Sequence, residues 1–221
     1  MMQPKLGIIA GGGLLPAVLM DNCEREGRDY VVVALKGQAA PEVVTGKPHK
    51  WIRIGAAGKI LAYLAANNVR ELALAGSIQK PAAKDLRPDL WMAKFLAGNI
   101  YELGDNGLFR KLINHLEGEE RFSVIGIENL APELITPIAC MTNKLPSAAD
   151  LNDIKYGLIE ARKLGKQDVG QGVIVAEGVV LSQEDRMGTD AMIKSLPRLG
   201  SNKKRRGILV KALKPGQERR I

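Results

Sequence analysis

The 221 residues are poor in rings, thiols and imidazoles. Phe, Trp and Tyr make up 4% of the chain, too few for the series of exposed rings on which single-stranded nucleic acid stacks. The two cysteines, Cys23 and Cys140, stand far apart with no Cys-x-x-Cys spacing. That excludes a disulfide framework and a cysteine zinc site, fits a reducing cytoplasm, and reads both thiols as small buried apolar residues. No apolar run approaches the ~18 residues a spanning helix needs, and Met1 leads straight into a strand-like pattern without a basic leader and long apolar stretch. The expectation is a cytoplasmic protein that neither spans nor crosses a membrane.

Hydrophobic residues make up 46% and charged residues 25% of the chain, the balance of an ordinary soluble domain. The length suits one large domain or two small ones, two being the better fit. The net charge is +8, gathered late in Lys203-Lys204-Arg205-Arg206, Lys211, Lys214, Arg219 and Arg220. Such an excess concentrates phosphates, nucleic acids or acidic lipid head groups, or simply forms a solvated basic face.

In chain order, Lys5 to Ala10 reads as a buried strand, Gly11, Gly12 and Gly13 as a turn, Leu14 to Cys23 as a helix ending near Gly27, and Tyr30 to Leu35 as a second strand. Strand, turn, helix and strand in this order build a parallel sheet. The turn departs from a dinucleotide fingerprint, because Pro16 follows where a third glycine is expected and Lys36 stands where an acid would hold a ribose. It is suited either to a phosphate over the helix N-terminus or to a close strand–helix junction. Trp51 to Ile54, Glu71 to Ala75 and Phe122 to Ile127 read as further strands. Gly55 to Ile60 opens a helix but fails as a phosphate-cradling loop at Arg53 and Ile60. Gly76 and Ser77 end the fourth strand on the same rim as the Gly11 turn. Helices are expected over Asp89 to Leu96 and after a Gly104-Asp105-Asn106-Gly107 turn, with His115 a surface or packed histidine.

Pro132, Pro137 and Pro146 mark a linker, which gives an N-terminal parallel-sheet domain over 1–130, a linker over 131–147 and a smaller α/β domain over 148–221. Ser147 to Asp150 caps a helix with Ile154, Leu158, Ala161 and Leu164 on one face. Val173 to Ala176, Val179 to Leu181 and Gly207 to Leu213 are strands, while Gly170, Gly172 and Gly178 permit close backbone approach. Thr189 and Asp190 form a helix entry, and Asp190 on its own reads as a helix cap.

Six stretches together resemble one family: I-I-A-G-G-G-L-L-P (8–16), G-A-A-G-K-I (55–60), A-G-S-I-Q-K-P (75–81), D-V-G-Q-G-V-I-V-A-E-G-V-V-L (168–181), G-T-D-A-M (188–192) and G-I-L-V-K-A-L-K-P-G-Q-E-R-R (207–220). In this order they are similar to the bacterial UDP-2,3-diacylglucosamine pyrophosphatases called LpxI. The resemblance implies a Rossmann-like first domain, a second domain of its own fold and a substrate cleft between them. It also implies Mg²⁺- or Mn²⁺-dependent attack of water on the α-phosphorus, releasing UMP and 2,3-diacylglucosamine 1-phosphate in lipid A synthesis. Asp190 then becomes the metal carboxylate and a catalytic residue with Lys211. Gly11, Gly12, Gly13, Gly76, Ser77, Gly170, Gln171, Gly172, Thr189 and Lys214 bind substrate. The implied partners are the UDP-diacylglucosamine lipid, a second copy in a homodimer and, transiently, the inner-membrane surface, with no nucleic acid.

The sequence departs from the family at Met187 and Asn106, where acids are common. The family's catalytic metal-binding acid is expected in an Asp-Leu-Pro segment after the equivalent of Arg219-Arg220-Ile221, so these 221 residues read as incomplete relative to the family. The alternative, from a different class, is a non-catalytic binder of phosphate, nucleic acid or acidic lipid that uses the late basic residues.

Overall fold

The computed structural model describes residues 3–79, 83–97, 105–196, 207–218 and 220, with the side chains of residues 83, 84, 105 and 106 left aside. The basic run Lys203–Arg206, Arg219, Gly104 and the Lys80-Pro81 end of the third matching stretch lie outside the described residues. The chain divides into two compact units, 1–136 with 218–221, and 137–217. Each is described by itself.

In the first unit, strands β1 (Leu6–Ala10), β2 (Tyr30–Leu35), β3 (His49–Ile52), β4 (Glu71–Ala75) and β5 (Ser123–Val124) form a sheet in the order β3-β2-β1-β4-β5. Every pairing is parallel. Helices α1 (Leu15–Glu26), α2 (Pro41–Val44), α3 (Ala57–Ala66), α4 (Ala83–Leu86), α5 (Leu90–Leu96), α6 (Asp105–Gly118) and α7 (Ile127–Leu130) connect and flank the strands. The central strands β1 and β2 are apolar without a break because both faces are covered, and all of β2 is buried. Alternate residues Leu6, Ile8, Val32 and Ala34 pack with Leu19, Met20 and Cys23 of α1. On the opposite face Val31, Val33, Leu35 and Leu72 meet Ile60 and Leu64 of α3 and Ile113 and Leu116 of α6. This is the Rossmann-like arrangement expected from the sequence.

Several boundaries differ from the sequence reading. β3 starts at His49 and ends at Ile52, because it is an edge strand whose first residues are polar and exposed. β5 has two residues, and Gly126 is already the N-cap of α7, which starts at Ile127. Helix α6 begins at Asp105 and takes Gly107 into its first turn. His115 is packed, its ring centroid 4.9 Å from that of Trp91 and 5.8 Å from that of Phe95. Its Nδ1 lies 3.0 Å from Oε1 of Glu119, an i+4 neighbour whose pairing the sequence reading passed over. Cys23 is buried, whereas Cys140 is exposed in the irregular chain that follows Pro137, which corrects its reading as a buried apolar residue.

In the second unit α8 (Ala148–Lys166) lies on an antiparallel sheet of β6 (Gly172–Ala176), β7 (Val179–Gln183) and β8 (Ile208–Lys211), ordered β7-β6-β8, with α9 (Gly188–Ser195) following β7. Ala161, Leu164, Val173, Val175 and Val210 form its core. The helix α8 starts on a capping box: the Ser147 hydroxyl accepts the Asp150 N–H at 3.2 Å, and the Asp150 carboxylate accepts the Ser147 N–H at 2.8 Å. Ser147→Ala, read by denaturant unfolding, is expected to cost about 1 kcal/mol. Among the described residues no helix is long and apolar enough to cross a membrane.

Candidate functional site

In the first unit the sequence direction reverses at β1. The chain runs from β1 outward to β2 and β3, then returns to place β4 on the other side of β1. Ligands of such sheets bind outside the carboxyl ends of the strands at this switch point. Gly11, Gly12 and Gly13 leave β1 there, and Gly76 and Ser77 leave β4 beside them. The structure joins the two turns: Gly12 N–H donates to Ser77 O at 2.8 Å, and Ser77 N–H to Gly12 O at 2.9 Å. Gly76 has φ +94°, and a Cβ there would stand 2.4 Å from Gly12 O, so both its conformation and its closeness require glycine. Gln38 clasps the next residues, donating to Gln79 O at 3.0 Å and accepting Gln79 N–H at 2.8 Å. Helix α1 enters this rim from Leu14 without a side-chain cap. The second glycine turn is different, because Gly58 N–H donates to the Asp89 carboxylate at 2.8 Å. A carboxylate of the protein itself thus already occupies one N–H of this helix N-terminus, in line with the failed phosphate-loop pattern.

The second unit assembles a polar cluster around a residue the sequence reading did not select. Glu184 follows β7 and is 7% exposed. Its Oε2 accepts the Gln171 N–H at 2.8 Å, and its Oε1 accepts the Thr189 hydroxyl. Lys211, at the end of β8 opposite Gly172, donates from Nζ to Thr189 Oγ1 at 2.6 Å and lies 3.5 Å from Glu184 Oε1. Gly170 lets the backbone of Glu184 approach closely, since a Cβ there would stand 2.4 Å from the Glu184 main-chain carbonyl oxygen. Gly172 adds to the enclosure, accepting Glu184 N–H on its carbonyl at 2.9 Å. Gln171, Gly172, Thr189 and Lys211 are therefore brought together, with Gly170 against the backbone of Glu184.

Two selected residues stand differently. Lys214 donates to Asp168 Oδ1 at 2.8 Å and is thus a partner of Asp168. Asp190 is exposed in the first turn of α9, which begins at Gly188 after Met187 with no side-chain cap. The helix-cap reading of Asp190 fails on this geometry: it lies inside the helix, where a carboxylate is favoured by the helix dipole. Among the described residues Asp190 makes no hydrogen bond or ion pair, which leaves its oxygens open to a ligand. No group of three or more His, Cys, Asp or Glu that could hold a metal ion occurs among the described residues.

Burial pushes the Glu184 carboxyl up, but hydrogen bonds from Thr189 and from Gln171 N–H, with the charge of Lys211, outweigh it and hold the group below the usual glutamate range. A depressed folded-state value means that this stabilisation is complete above the ordinary glutamate value, about 4.3. It is lost as pH falls below that value and through the folded one. Denaturant unfolding at pH 7 and pH 3.5 is expected to show an acid loss in the second unit that Glu184→Gln reduces.

The sequence signal for Glu184 was indirect. A glutamate after a strand in Gln183-Glu184-Asp185 looks like a solvated turn. Gly170 and Gly172 on the neighbouring strand entry were the trace of what it needs.

Comparison with known proteins agrees with both units. Residues 5–134 match the LpxI N-terminal domain, and residues 137–221 match the LpxI C-terminal domain. A curated relative, the UDP-2,3-diacylglucosamine pyrophosphatase LpxI of Caulobacter vibrioides (strain ATCC 19089 / CIP 103742 / CB 15), is 36% identical over 224 residues, covering 98% of this chain and 79% of the relative. With a parallel first unit, an antiparallel second one and matches along both, the chain belongs to the LpxI family.

Proposed function

We propose that the chain hydrolyses the pyrophosphate bond of UDP-2,3-diacylglucosamine, giving UMP and 2,3-diacylglucosamine 1-phosphate. The observation that carries this reading is the likeness to the Caulobacter pyrophosphatase along 98% of the chain. In this reading an oxygen of water forms a bond to the α-phosphorus, the bond from that phosphorus to the bridging oxygen breaks, and the lipid 1-phosphate leaves. The Lys211 ammonium, held on Thr189 at 2.6 Å and partly exposed, supplies positive charge to the phosphate oxygens. The Gly11–Gly13 and Gly76–Ser77 turns contribute backbone at the strand ends. In the second unit Lys214 is a further proposed phosphate contact, whereas the Gln171 N–H and the Gly172 carbonyl are taken by Glu184, so that this backbone serves by holding the glutamate.

Asp190 fits a hard divalent cation as a single open carboxylate, since Mg²⁺ is commonly held by one or two carboxylates together with substrate phosphates and water. When bound, Mg²⁺ or Mn²⁺ supplies charge stabilisation at the phosphates. The reading also includes a homodimer and transient contact with the anionic inner leaflet through late basic residues. Co-flotation with vesicles should then require anionic lipid.

The test is UMP release from UDP-2,3-diacylglucosamine with Mg²⁺ and with chelator, on these 221 residues and on a chain carrying the family's following segment. Metal-dependent release by either chain supports the reading, and Asp190→Asn should remove it. If neither releases UMP, the hydrolase reading fails, and substrate binding without turnover would support a non-catalytic anion binder.

A further inference from the structure

The second unit directs its hydrogen bonds one way. A carboxylate only accepts, so the single proton of the Thr189 hydroxyl goes to Glu184, and the Thr189 oxygen is left to accept from Lys211. The order Lys211 to Thr189 to Glu184 follows from the chemistry of the three groups. An ammonium has three N–H donors. One is taken by Thr189 at 2.6 Å, and the contact to Glu184 at 3.5 Å is long. The Lys211 side chain is 42% exposed and that of Glu184 9%, so the free donors belong to the lysine and the buried end to the glutamate.

We infer that Glu184 is the positioning residue of the anion site: it orients the Lys211 ammonium through Thr189, and its charge offsets that of Lys211 so that a bound diphosphate is held loosely enough to leave. This deepens, and rests on, the reading of the chain as a pyrophosphatase. It also changes the part given to Thr189, whose proton is committed inward, so that it serves Lys211 rather than donating to phosphate.

Charge decides the expected direction. An anion held on the Lys211 ammonium at about 3 Å comes close to the Glu184 carboxylate, because Nζ and Oε1 are already only 3.5 Å apart. Like charges at such range repel strongly in a partly buried setting. Glu184→Gln keeps the shape and removes the charge. Its amide oxygen can accept the Gln171 N–H, which leaves the amide N–H₂ facing Thr189 and reverses the hydroxyl. Lys211 then loses its fixed direction while the site gains net positive charge. Ground-state anion binding should tighten as turnover falls.

The experiment titrates inorganic pyrophosphate calorimetrically into the wild-type chain, Glu184→Gln and Glu184→Asp, with melting temperatures, and measures kcat and KM on the UDP-lipid. For Glu184→Gln the expected result is a pyrophosphate Kd about tenfold lower, KM lower in the same sense, and kcat reduced about tenfold or more. Glu184→Asp, which keeps the charge, should retain a Kd within about twofold of wild type. A Glu184→Gln Kd equal to or weaker than wild type overturns the inference. So does a fall in melting temperature and active fraction with Kd and KM unmoved, the result of a merely structural role. If neither the wild-type chain nor its extended form hydrolyses the UDP-lipid, the pyrophosphatase reading falls, and the pyrophosphate Kd values decide the inference alone.

Discussion

Lys211→Met is expected to lower kcat/KM for UDP-lipid hydrolysis about 100-fold or more, the loss typical when one preorganised charge is removed from a reacting phosphate or oxyanion. Lys211 ends β8, and its backbone is fixed by pairing with Gly172. Methionine keeps most of the aliphatic stem, so the change is confined to the charged end. Glu184 keeps two of its partners, the Gln171 N–H and the Thr189 hydroxyl, so the buried carboxylate is not abandoned. Stability should therefore fall far less than activity. Steady-state kinetics beside a thermal melt checks this, and a kcat/KM within about threefold of wild type would remove Lys211 from the charge-stabilising role.

Gly170→Ala should be the most damaging small substitution in the second unit. The added methyl would stand 2.4 Å from Glu184 O, 2.9 Å from its carbonyl carbon and 3.0 Å from its Cβ. Two of those atoms are backbone, which cannot swing aside as a side-chain end can. The turn that follows β7 must shift, and Glu184 with it. We expect a loss of about 3 kcal/mol in denaturant unfolding and loss of hydrolysis beyond what unfolding explains. Gly118→Ala is the control, because a methyl there meets nothing within 4 Å and alanine favours a helix.

The parts of the fold written in short-range patterns were legible in the sequence. The unbroken apolar run Tyr30–Leu35 marks a strand covered on both faces, and Ser147 three residues before Asp150 marks the start of α8. The pairing of the Gly11 and Gly76 turns was legible only because parallel strands place their carboxyl ends on one rim. Edge β3 was misplaced by two residues because exposed His49 and Lys50 carry no apolar signal. Glu184 was not legible at all. Its burial depends on Thr189, Gln171 and Lys211, which stand 5, 13 and 27 residues away and meet it only after the sheet forms. Asp190, chosen by motif, is in the open, and the buried acid near it is the one that organises the cluster.

The most direct test of the account is hydrolysis of UDP-2,3-diacylglucosamine in ¹⁸O-enriched water with Mg²⁺, with the products analysed by mass. The account predicts metal-dependent cleavage with one ¹⁸O carried into the products, in UMP for attack on the α-phosphorus and in the lipid phosphate for attack on its neighbour. No cleavage by this chain or its extended form, or cleavage that survives chelator, would contradict it.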